Sequence, residues 1–287
     1  MEPYILDAFL GAVMFGLGGV LFKWNAHNLG DDNYFFGGLY SVGATCFFID
    51  GFDTLSELND AKYFIMAAIV GLGAAGGNFA LSQGMRYGPA GLTSAFAKAN
   101  IIIVILLSSV YYGETITWIE GLGILFFFLA MIVVNLKVNK LNKPTNRTWI
   151  LIMMACIILL AFRNGGLKVV NELGLSGVLV AAVAYTYCAM VSIMLILKNR
   201  KKPSQSKVTK LKTAVIGILT GIVSYGGLYF YITAIKGGPG SVVITIFSLD
   251  MFFILLLSYL LFGERLNRNQ IFGFLLSAIG LILIGLK

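Results

Sequence analysis

Charge is what this sequence has least of. Asp, Glu, Lys and Arg make up 12% of its 287 residues, about half the share found in a soluble domain. With 58% hydrophobic residues, no soluble fold of this length could bury so much apolar surface, whereas a bilayer accepts it. Histidine occurs once, as His27 beside Asn25 and Asn28 at the end of an apolar run. A lone imidazole with no cysteine or second histidine nearby reads as a solvated connector residue, and no metal is expected. Cys46, Cys156 and Cys188 all fall inside apolar runs, so they read as small core residues rather than a disulfide framework. No serine elbow, Walker loop or metal-ligand spacing occurs, which argues against an enzyme and against a cofactor. Met1-Glu2-Pro3 has no basic n-region and the first apolar run is long enough to span, so no cleavable signal peptide is expected. The net charge of +8 sits in short connectors rather than on one polar face. That pattern sets membrane orientation and does not indicate a nucleic-acid partner.

What the chain does have is a duplication. Tyr87-Gly88-Pro89-Ala90-Gly91 opens an apolar run that closes at Gly113-Glu114, and Gly237-Gly238-Pro239-Gly240 opens another that closes at Gly263-Glu264. Pro89 and Pro239 are 150 residues apart, as are Glu114 and Glu264, so the copies align without a gap. Gly76-Gly77 matches Gly226-Gly227, and Gly123 matches Gly273. The halves begin less alike: Phe15, Gly18 and Gly19 resemble Phe162, Gly165 and Gly166, and Leu29-Gly30 matches Leu173-Gly174 after a small offset. A period this long marks two homologous halves, residues 1–143 and 144–287, not a solenoid.

Ten apolar runs are expected at 4–23, 33–52, 62–85, 89–112, 116–136, 148–170, 176–197, 212–235, 239–262 and 268–286. Each is close to the ~20 residues a helix needs to cross the hydrocarbon. They are too long and too little alternating for barrel strands, so the fold expected is an all-α integral membrane protein. Five spans per half is an odd number, so the halves should cross in opposite senses, as an inverted repeat. Gly88-Pro89 and Gly238-Pro239 read as tight helix–helix turns. Gly73-x-x-x-Gly77, Gly84-x-x-x-Gly88 and Gly217-x-x-x-Gly221 read as close helix crossings.

Two motifs are set aside. Gly71-Leu72-Gly73-Ala74-Ala75-Gly76 fits a dinucleotide fingerprint, but it lies inside an apolar helix whose amides are already bonded. The Asn146-Arg147-Thr148 sequon lies almost at the membrane surface.

The informative residues are charges within the runs. Lys98 is near the middle of the fourth, Asp250 near the middle of the ninth and Arg163 well inside the sixth. A charge at the bilayer centre costs ~2.5–3.5 kcal/mol even on the mild scale, so such residues pair or face a cavity. Under the 150-residue offset Asp250 matches Asn100 and Lys98 matches Ser248. Residues two apart on a helix point ~200° away from each other, so one of each pair should meet a neighbouring helix. Trp24, Asn78, Gln83, Asn164, Tyr185, Tyr187, Ser224, Tyr225 and Tyr229 lie in the same runs. As a set they would suit a pocket for a small amphipathic metabolite; singly, each aromatic reads more readily as core or interfacial belt.

The Gly-Pro-initiated helices closing on Gly-Glu, their copy ending in Gly263-Glu264-Arg265, and Lys23 resemble the drug/metabolite transporter superfamily in its EamA-like branch. The likeness spans essentially the whole chain. It implies a multi-pass protein of the cell (inner) membrane, with two inverted halves rocking around a midplane site. It leaves the cargo open, since such proteins move amino acids, nucleotide sugars, sugar phosphates or cations. It also implies cytoplasmic termini, whereas the basic connectors lie on the side away from the termini, and by the positive-inside rule that side is cytoplasmic.

The expected function is a secondary transporter of a small carboxylate, phosphate or zwitterion, because Lys98, Arg163 and Asp250 sum to a net positive charge. Its substrate-binding candidates are Lys98, Arg163, Asp250, Asn78, Asn100, Asn164, Tyr185, Tyr225, Tyr229 and Trp24. Asp250 is the candidate for coupling to protons, since burial favours a neutral carboxyl. The alternatives are a multidrug or cationic-metabolite exporter and, from another class, a structural or signalling membrane protein without cargo.

Overall fold

The computed structural model describes residues 3–113, 117–135, 147–199, 208–237, 246–247 and 249–285. Its elements are α1 (Pro3–His27), α2 (Asp32–Asp50), a 3-10 helix (Phe52–Asn59), α3 (Ala61–Tyr87), α4 (Ala90–Ala97), α5 (Asn100–Tyr112) and α6 (Trp118–Asn135). The second half supplies α7 (Arg147–Glu172), α8 (Gly177–Lys198), α9 (Lys210–Gly237), α10 (Asp250–Phe262) and α11 (Arg268–Gly285). No strand occurs among the described residues. Each of the ten apolar runs carries helix. Glu114, Pro239, Gly238, Gly240, Ser248, Asn146 and residues 200–207 lie outside the described residues.

Six stretches are long and apolar enough to cross a membrane: α1, α3, Ala90–Tyr112, α7, α8 and Lys210–Tyr231. α2 and the 3-10 helix make a seventh if counted together, although the chain bends by 96° between them. Residues 50–61 are thus not the open loop that their polarity suggests. Asp60 ends the 3-10 turn and caps α3, its carboxylate accepting from Lys62 N at 2.8 Å. α10, α11 and Trp118–Ala130 are shorter apolar helices.

The packing has the same form in both halves. α1 lies against α9 as α3 lies against α7, and α2 lies against α9 as α8 lies against α3. α10 packs on α1 as α5 packs on α7. Lipid is as apolar as leucine, so these crossings depend on close contact rather than on escape from water. The glycine pairs provide that contact. A Cβ at Gly217 would fall on Phe35 O, and one at Gly221 would lie 2.5 Å from Leu39 O, so α9 meets the backbone of α2 directly. Gly113 and Gly263 both have left-handed backbone, with φ of 69° and 64°. Gly263 N bonds Tyr259 O at 3.1 Å and ends α10, the helix-closing role its copy of the motif suggests.

The Gly88-Pro89 turn is held from outside. A Cβ at Gly88 would lie 2.5 Å from Trp149 Nε1. Trp149, 1% exposed, donates to Thr93 Oγ1 at 3.0 Å, so the turn is packed under an indole from α7.

Candidate substrate site

The fourth run is not one helix. It breaks at Lys98–Ala99, between α4 and α5. Here Ala99 N bonds Phe96 O at 3.0 Å and Ile102 N bonds Ala99 O at 3.1 Å, the tighter i→i+3 pattern of a 3-10 turn. No proline causes it. Asn100 turns its own amide back onto Ala97 O at 2.5 Å, occupying the carbonyl an α-helical bond from Ile101 would use, and Ile101 N takes Lys98 O instead. The ninth run shows the same bonds 150 residues later: Leu249 N to Ile246 O and Phe252 N to Leu249 O. Both halves therefore place a helix break at the same position, and Lys98 and Asp250 stand at those breaks.

Across the breaks, Lys98 Nζ bonds Asp250 Oδ2 at 2.7 Å and joins the two halves. Asp250 is 3% exposed and its Oδ1 has no hydrogen-bond partner. The ammonium also lies 5.6 Å from the Phe247 ring centre. Asn100 accepts from Asn164 Nδ2 at 2.6 Å, which ties the break to α7. So the two polar residues of this turn bind different helices, in line with their ~200° separation.

Arg163 differs from the other charges. Among the described residues it has no carboxylate within ion-pair distance and it is only half-buried. Tyr40 donates to Ala74 O at 2.9 Å and accepts from Asn78 Nδ2 at 3.1 Å, so Asn78 is engaged in the contact between α2 and α3.

The aromatic candidates separate. Tyr185 is buried in a core of edge-on rings, 5.2 Å from both Tyr40 and Phe47. Phe47 continues that chain to Tyr225 at 5.1 Å, and Tyr225 to Tyr229 at 6.2 Å. Tyr229 is 44% exposed, at the outer end. Trp24 lies apart from them, near the end of α1, with Lys212 Nζ 5.7 Å above its ring.

Two polar knots were not foreseen as such. Lys23 Nζ lies 2.5 Å from Glu264 Oε1 and donates to Met85 O at 2.8 Å, and Glu264 Oε2 accepts from Ala90 N at 2.8 Å. Asp32, first in α2, accepts from Asn25 Nδ2 and Arg86 Nη2 at 2.8 Å, from Gln83 Nε2 at 2.7 Å and from Ser82 Oγ at 3.3 Å. Both gather around the Gly88-Pro89 turn. Gln83, grouped above with the pocket, serves Asp32 instead.

A duplicated set of apolar helices with ion pairs joining the halves defines a multi-pass membrane protein. The EamA-like transporter family matches residues 3–136 and 147–286, one match to each half. The chain belongs to that family. No curated protein matches it. A crystal structure of a protein that is 14% identical resembles it with a TM-score of 0.66, covering 99% of this chain and 98% of that one. At that identity the likeness concerns the fold alone.

Proposed function

We propose that the protein is a secondary transporter that moves a small anionic or zwitterionic metabolite across the cell membrane by alternating access. Its halves, residues 1–143 and 144–287, would cross the bilayer five times each in opposite senses and rock around the paired helix breaks. The equivalent packing of the two halves supports this layout.

The observation that carries the cargo class is Arg163, which has no carboxylate within ion-pair distance among the described residues. Lys98 is already neutralised by Asp250, so a guanidinium is the intramembrane charge that lacks a counter-ion among the described residues. A guanidinium offers the planar fork of donors that fits a carboxylate or phosphate. Lys98 is the second contact, available if Asp250 takes up a proton.

A thermal-shift panel of carboxylates, phosphates, zwitterions and organic cations on purified protein tests the reading, because a ligand at 100 times its Kd stabilises by ~2.7 kcal/mol. At least one anion or zwitterion should stabilise the native protein, and Arg163→Gln should remove that shift. Stabilisation by organic cations alone, abolished by Asp250→Asn, would select the exporter instead. The bare Oδ1 of Asp250 is the observation in that reading's favour.

A further inference from the structure

We propose that the start of α9 carries a binding site for an anionic phospholipid: Lys210 and Lys212 take the headgroup phosphate, and the outer face of α9 takes an acyl chain. The site goes beyond the transport reading and requires only that the chain spans a membrane.

Lys210 and Lys212 are the first and third residues of α9, where a stretch long and apolar enough to cross the bilayer begins. Thr209 caps this end, its Oγ1 accepting from Lys212 N at 3.3 Å. A span that begins there sets both ammoniums at the depth of the lipid phosphates. α9 packs against both α1 and α2, and residues two apart on a helix diverge by ~200°. Each lysine therefore folds over a different neighbour. Lys210 Nζ lies 5.3 Å from the Tyr34 ring centre on α2, and Lys212 Nζ lies 5.7 Å from the Trp24 ring centre on α1. The rings hold the ammoniums in place by cation–π attraction and leave their positive charge uncompensated. Among the described residues neither lysine has a carboxylate within ion-pair distance. Asp31 and Asp32, just before Tyr34, are used elsewhere: Asp31 caps α2 by accepting from Asn33 N, and Asp32 pairs with Arg86.

Leu211 stands between the two lysines and is 76% exposed. It opens a stripe of exposed apolar side chains that continues through Val215, Ile218, Leu219 and Ile222. That spacing is one face of a helix. A free phosphate would use the lysines and leave the stripe unused. A phospholipid uses both, because its chain runs down the face that begins between the two charges. The positive end of the α9 dipole adds to the attraction. A basic residue near the membrane surface favours an anionic lipid by about fivefold, so two predict a preference of roughly 25-fold over a zwitterionic lipid.

Trp24 reports on the site directly. Full-length protein is placed in phosphatidylcholine vesicles containing a minor fraction of phosphatidylglycerol, with bromine on the acyl chains of one lipid or of the other. Subtracting the emission of Trp24→Phe isolates Trp24 from the other tryptophans. Brominated phosphatidylglycerol should quench Trp24 at least about tenfold more effectively per lipid than brominated phosphatidylcholine. Lys210→Gln with Lys212→Gln should bring the two lipids level, and Lys210→Arg with Lys212→Arg should keep the preference. Equal quenching by both lipids in the unaltered protein overturns the proposal. A preference that survives the double Gln change overturns it too. Relief of the quenching by soluble glycerol phosphate would mean that the lysines serve a free anion, and it would overturn the lipid site as well. No cargo enters these measurements, so a failed lipid site leaves the transport reading standing, and a failed ligand panel leaves the lipid site untouched.

Discussion

Replacing Lys98 by Met should be the most destabilising single change in the centre of the protein. It leaves Asp250, 3% exposed, with one oxygen already unpartnered and the other newly so. At 2.7 Å and an effective dielectric of 20, the pair's gross attraction is about 6 kcal/mol. Desolvation offsets part of that, and breaking a buried pair from one side typically costs about 3–5 kcal/mol. Asp250→Leu should cost less, because the Lys98 side chain is 19% exposed and its long stem can be re-aimed. The double change Lys98→Met with Asp250→Leu removes both charges and should be milder than Lys98→Met alone. The coupling between the two positions should then exceed about 2 kcal/mol. Reversible unfolding in mixed micelles, followed through the buried Trp149, measures all four states of the cycle. Additive single effects, with coupling below about 0.5 kcal/mol, would refute the argument that the pair is energetically joined. The same double variant bears on transport. If it carries cargo at the normal rate, Lys98 and Asp250 serve architecture only.

Two further outcomes follow from the packing and from the charge pattern. Gly217→Val should destabilise the protein by about 1–3 kcal/mol or more in the same unfolding assay, because the added carbons collide with Phe35 O; a neutral effect would mean that α2 and α9 are not in backbone contact. A cysteine at Ser204, in the basic connector outside the described residues, should resist an impermeant thiol reagent on intact cells. Ready labelling there would place that connector outside the cell and overturn the positive-inside assignment.

Much of the fold was legible because a membrane simplifies the code. Ten apolar runs with short connectors leave helix as the only economical solution, and the 150-residue offset places Lys98 and Asp250 at similar depth. The break at Lys98–Ala99 was hidden. It arises from an asparagine amide competing with a backbone donor, and neither proline nor periodicity announces that. The aromatic candidates were ambiguous for another reason: Tyr185 and Tyr229 look alike in a sequence, yet one is enclosed by Tyr40 and Phe47 and the other is nearly half exposed. Charges near helix ends misled most. Lys23 reads as a family marker and Arg86 as one of the basic residues that set orientation, and only the fold shows that Lys23 meets Glu264 and that Arg86 meets Asp32.

The two helix breaks make each of these spans a screw as well as a rod. A 3-10 turn rises about 2.0 Å and rotates about 120° per residue, against 1.5 Å and 100° for an α turn. Each residue near Lys98 that relaxed from the first geometry to the second would draw α5 inward by about 0.5 Å and twist it by about 20°. Two or three such residues would carry a side chain on α5 from one neighbouring helix toward the next. A change confined to a few backbone bonds beside the Lys98–Asp250 pair would thus be delivered, as rotation, to the far end of the span at Tyr112.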